Sequence, residues 1–108
     1  MTIEEKLKDP KTLVVKFTAT WCQPCRMLAT GAWPRLVESN SNVNYHDVDV
    51  DQDRSLVDLF NVKGVPTVVI LKNGTETGRL VGLKTQAMYQ EIIGGASVEQ
   101  KNTNDAGG

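Results

Sequence analysis

Cysteine and histidine are scarce in this chain of 108 residues, with 2 of the former and 1 of the latter, His46. A tetrahedral zinc site takes four protein ligands, or three with one position open, so these residues cannot build one without carboxylates or a second chain. No metal is expected. Neither sign of charge is in excess: 12 Lys and Arg stand against 13 Asp and Glu, for a net charge of -1, which leaves no electrostatic footprint for nucleic acid. No apolar run approaches the roughly 18 residues of a membrane span. The N-terminal MTIEEKLKDPKT lacks the apolar core of a secretory signal. The expectation is a cytoplasmic protein without nucleic-acid or membrane partners. In that compartment thiols stay reduced, and a close cysteine pair is more often catalytic or metal-binding than structural.

The apolar share of 40% and charged share of 23% fit a soluble globular protein, and this length suffices for one compact domain that needs no staple. Ile3 and Leu7 suit a short amphipathic helix ended by Pro10, and Leu13 to Thr18 reads as a buried strand. From Cys25 onward, Met27, Leu28, Trp33, Leu36 and Val37 recur with helical spacing, while Gly31 and Pro34 call for a bend or break. Tyr45 to Val50 alternates like a second strand, and Arg54 to Phe60 carries one apolar helical face. Thr67 to Leu71 and Thr77 to Val81 flank Asn73-Gly74, a strong hairpin turn. A last helix, Thr85 to Ile93, stops at Gly94-Gly95. The predicted architecture is α/β: a mixed sheet flanked by helices on both faces, parallel by crossover in its first half and antiparallel at its end. The domain is expected over residues 1–95, with 96–108 a polar, disordered tail.

Both cysteines lie in Trp21-Cys22-Gln23-Pro24-Cys25, just after the first strand. At the first turn of a helix, unpaired amides and the macrodipole favour the thiolate of the first cysteine. Cys22 is thus the candidate nucleophile, and Cys25, one turn further in, the thiol that resolves a mixed disulfide. Pro24 suits a first-turn position because it has no N–H to leave unsatisfied.

Taken together, Trp21-Cys22-Gln23-Pro24-Cys25, Val65-Pro66 followed by Thr67, the turn Lys72-Asn73-Gly74, and Val81-Gly82 resemble the thioredoxin family over about Leu13 to Ile93. The resemblance implies the thioredoxin fold and a thiol–disulfide oxidoreductase that reduces protein disulfides without a cofactor. It also implies a cis bond between Val65 and Pro66. Partners would be disulfide-containing clients and a thioredoxin-reductase-like electron donor, with the protein itself a monomer. Trp21, Val65, Pro66 and Gly82 would line a shallow groove for the client chain, beside Gln23 and Pro24. Trp21 could instead be core, and Gly82 an ordinary strand-end glycine. Trp33, Met27 and Met88 read as packing residues, and His46 as a strand residue rather than an acid–base group.

The chain departs from the family pattern in four places. Gln23 stands where glycine is usual, and the kinking proline is missing at Thr30, with Pro34 about a turn later. The N-terminal region is short, so the family's first strand is expected to be absent. Most consequential, Lys16 stands where the family usually has a buried aspartate, and Asp47 where it commonly has a lysine. A buried lysine needs a partner, which adjacent strands would supply as Asp47, and the pair would tune the cysteine pKa values. Alternatively, Lys16 snorkels to solvent. A competing function is a partner-binding module that uses the groove without redox turnover.

Overall fold

The computed structural model describes residues 2–94 and the backbone of Val98 and Glu99. Helix α1, Ile3–Lys8, starts at Thr2, whose hydroxyl accepts from the Glu5 amide while the Glu5 carboxylate accepts from the Thr2 amide. This reciprocal capping satisfies two donors that a six-residue helix would otherwise leave open. The chain then enters strand β1, Leu13–Thr18, with no strand before it among the described residues.

β1 is central. It pairs in parallel with β2, Asn44–Asp49, and antiparallel with β3, Thr67–Lys72. β3 returns as β4, Thr75–Val81, and with β5, Val98–Glu99, the order is β2-β1-β3-β4-β5. The near-continuous apolar run of β1 is what a strand covered on both faces requires. Leu13, Val15, Phe17, Val69 and Leu71 bury one face beneath α4, Arg54–Leu59, with Ile3 and Leu7 of α1 against the same cluster. Val14, Val68, Ile70 and Leu80 bury the other face. There they meet Leu28 of α2, Gln23–Thr30, Trp33 and Leu36 of α3, Ala32–Ser39, and Tyr89 and Ile92 of α5, Gln86–Ile93.

The hairpin turn is as expected: Asn73 and Gly74 both have positive φ, at 53° and 79°, the geometry that matches strand twist. The expected bend after the cysteines is a full break at Gly31, not at Pro34. The Gly31 N–H ends α2 by donating to Met27 O at 3.0 Å, and a Cβ on Gly31 would meet that same oxygen at 2.8 Å. Pro34 lies in the first turn of α3, where its missing N–H costs nothing. Met27, read as packing, is 53% exposed. The face that α2 buries runs through Cys25 and Leu28, and Met27 falls outside it.

Val98–Glu99, as β5, lie parallel to Gly78 and Arg79 at the β4 edge. The rest of the expected tail lies outside the described residues.

Candidate active site

Three segments converge where β1 ends. The first is the turn from Ala19 into α2. Cys22 is the N-cap of α2 and Pro24 stands in its first turn, so the helix begins between the two cysteines. Cys22 and Cys25 are joined by a disulfide. The Cys25 N–H donates to Cys22 Sγ at 3.2 Å, so one of the open amides of the helix end points at the sulfur that would carry charge once the bond is reduced. Both cysteines are nearly closed to solvent, at 4% and 3% exposure.

The second segment is the loop before β3. The Val65–Pro66 bond is cis, and the Val65 carbonyl oxygen lies 3.8 Å from Cys22 Sγ. The third is the end of β4. Gly82 has φ +89°, a backbone state that side chains strain, and its N–H donates to Pro66 O at 2.7 Å. The Tyr89 hydroxyl donates to Gly82 O at 3.1 Å and accepts from the Lys84 N–H, which ties α5 to the same corner. Burial pushes the Tyr89 phenol up, opposed by that Lys84 bond.

Trp21 is not core. It is 66% exposed, and its indole N–H donates to Asp51 Oδ2 at 2.7 Å. Val65 approaches Cys22, Gly82 is bonded to Pro66, and Trp21 shares a hollow with Val65, with Val81 and Leu83 exposed on either side of Gly82. A separate hollow of about 330 Å³ is lined by Thr18, Cys25, Ala29 and Asp49 among others. Gln23 is tied down by Arg26, whose guanidinium donates to Gln23 Oε1 and to Thr20 O, each at 2.7 Å.

Lys16 does not snorkel to solvent; it is buried, at 5% exposure. Its ammonium lies 3.7 Å from Asp47 Oδ2, the residue opposite it in the β1–β2 register, and 4.9 Å from the centre of the Trp33 ring. His46, on the same strand as Asp47, is 3.3 Å through Nδ1 from Lys6 Nζ, far from the disulfide in the register. Burial lowers its pKa, and the Lys6 ammonium lowers it further against Asp47 and Asp53.

Two residues at the site went unnoticed in the sequence. Arg26 was legible in principle, being three residues from Gln23 on one helix. Asp51 was not, because the contact that holds Trp21 spans 30 residues. No cluster of metal-ligating side chains occurs among the described residues.

The family model "Thioredoxin" matches residues 2–94. The chain belongs to the thioredoxin family. It is 36% identical over 94 residues to the thioredoxin of Echinococcus granulosus, covering 84% of this chain and 83% of that one. It is also 32% identical to thioredoxin H5 of Arabidopsis thaliana, with 82% and 78% covered. Among solved structures, Fasciola hepatica thioredoxin superposes with a TM-score of 0.75 at 33% identity, covering 85% of each chain. Mitochondrial thioredoxin 3 of Saccharomyces cerevisiae gives 0.78 at 27% identity, again covering 85% of each. As a thioredoxin-family protein with a Cys22–Cys25 pair at a helix N-terminus, the chain is a thiol–disulfide oxidoreductase that acts on protein disulfides.

Proposed function

We propose that this protein works as a monomeric, cytoplasmic carrier of electrons from a thioredoxin-reductase-like donor to client disulfides, with Cys22 as nucleophile and Cys25 as resolving thiol. The observation that carries the assignment is the Cys25 N–H aimed at Cys22 Sγ at the start of α2. In the reduced protein the Cys22 thiolate attacks a client disulfide. A Cys22–client bond forms, the client bond breaks, and one client sulfur leaves as a thiolate that takes up a proton. Cys25, having lost its proton, then attacks Cys22 Sγ. The ring closes and the second client thiolate leaves. Two electrons have moved from the dithiol to the client.

Trp21, Val65, Pro66 and Gly82 form the groove in which the client chain lies. Exposed apolar area around a nucleophile supports that role. Gln23 and Pro24 face the client from the turn between the cysteines. The Lys16–Asp47 pair acts as a positioning and tuning pair, with the buried cation favouring thiolate in the strand beneath α2. A docking module without turnover would leave the disulfide at the groove unexplained.

Cys25→Ser tests the reading. With the resolving thiol gone, mixed disulfides between Cys22 and clients should accumulate and appear on diagonal gels of cell extract. A folded variant whose Cys22 still reacts with iodoacetamide but which captures no client would overturn the assignment.

A further inference from the structure

Trp21 and Val65 share the lining of a hollow of about 190 Å³. Ligand sites for drug-sized molecules begin near 300 Å³, so this one suits a single side chain rather than a cofactor. Its floor is apolar: Val50 and Val57 are buried, and Val62 and Val65 are partly so. Val65 is also the residue whose carbonyl approaches Cys22 Sγ. A client residue one or two places from the attacked cysteine, at about 3.3 Å of chain per residue, therefore reaches the hollow.

The charges around it are unequal in what they have left to offer. Asp51 is taken up by the Trp21 indole N–H. Asp53, next to the pocket wall, accepts from the Leu56 amide and the Ser55 hydroxyl at the start of α4. Arg54 and Lys63, both exposed on the rim, have no hydrogen bond or ion pair among the described residues. The lining thus offers an apolar floor and two cations without partners against one carboxylate, Asp51, which keeps its negative charge while it holds the indole.

We propose that this hollow is a specificity pocket for an acidic side chain beside the client's attacked cysteine, with glutamate preferred over aspartate. Glutamate fits better because its longer stem covers the valine floor while the carboxylate stays at the rim between Arg54 and Lys63. The inference rests on the reductase reading above and names the client class that the same site favours.

The test uses the prereduced protein in single turnover against peptide disulfides. The peptides are identical except for Glu, Asp, Gln or Lys, placed at each of the two positions before and after the cysteine. Second-order rates should fall in the order Glu, Asp, Gln, Lys at one or more of these positions. The Glu-to-Lys ratio should be about three- to tenfold at low salt, as expected for two exposed pairs, and should shrink in 1 M salt. The double variant R54E/K63E should invert that ratio, and R54K/K63R should keep it. Equal rates for Glu and Lys at all positions, or a ratio unmoved by R54E/K63E, would overturn the pocket and leave the reductase reading standing. If no peptide is reduced at all, the reductase reading fails and the pocket with it.

Discussion

Replacing Lys16 with methionine probes how charge in the strand reaches the thiols. Lys16 and Thr18 lie on the same face of β1, two residues or about 7 Å apart, and Thr18 lines the hollow that also holds Cys25. Taking about 8 Å between ammonium and thiolate and an effective dielectric of about 20, the attraction is about 2 kcal/mol. Asp47, opposite in sign and only 3.7 Å from the ammonium, cancels roughly half. About 1 kcal/mol remains, equivalent to about 0.7 of a pKa unit or about 20 mV in a two-electron couple.

The sign follows from which species carries charge. A cation stabilises thiolate, hence the reduced protein, so its removal raises the Cys25 pKa and makes the potential more negative. The potential shift grows with the thiolate fraction and therefore with pH. Thiolate absorbance titration and glutathione equilibria at pH 7 and pH 9.5 measure both quantities. Folding should change little in Lys16→Met, because the abandoned partner Asp47 is 61% exposed and stays hydrated. If both the pKa and the high-pH potential are unmoved, the Lys16 cation has no line to the thiols and the tuning role fails.

Asp47→Ala is expected to cost about 1–2 kcal/mol in urea unfolding, less than the full penalty for breaking a buried pair because Asp47 is exposed and the Trp33 ring still faces the ammonium. Brief iodoacetamide treatment of the reduced protein near neutral pH should label Cys22 well before Cys25; mass mapping that finds Cys25 first reverses the two roles. Gly31→Ala should destabilise by roughly 1–3 kcal/mol, because its Cβ would lie 2.8 Å from a backbone oxygen that cannot swing aside; an unchanged unfolding midpoint contradicts this. His46 titrates below its ordinary value of 6.5, so its contribution to stability is present above that value and lost as pH falls through the lowered native pKa. An NMR titration of Lys6→Met should move His46 upward.

The strands, the hairpin and the cysteine turn were legible because each is written in local chemistry: β-branched runs, Asn73-Gly74, and a proline in the first turn of a helix. Even the Lys16–Asp47 contact could be anticipated, since a buried cation demands an anion and parallel neighbours in register can supply it. The hidden features are those decided by distance through space. The apolar spacing placed Met27 inside, but α2 buries the face of Cys25 and Leu28 and leaves Met27 outside.

Trp21 shows why a single residue's character does not settle its place. A large apolar ring favours burial, yet this one has a polar N–H that Asp51 holds at the surface. Exposure of the ring is thereby fixed by a carboxylate 30 residues away, and that carboxylate also sets one negative charge beside Arg54 and Lys63 in the pocket. One residue thus bears on both the wall beside Cys22 and the charge of the pocket, so Asp51→Ala should loosen the indole and raise the Glu-to-Lys rate ratio together. Trp21 fluorescence anisotropy and the Glu-to-Lys rate ratio, measured on that variant, should shift jointly; a change in one without the other would separate the wall from the pocket.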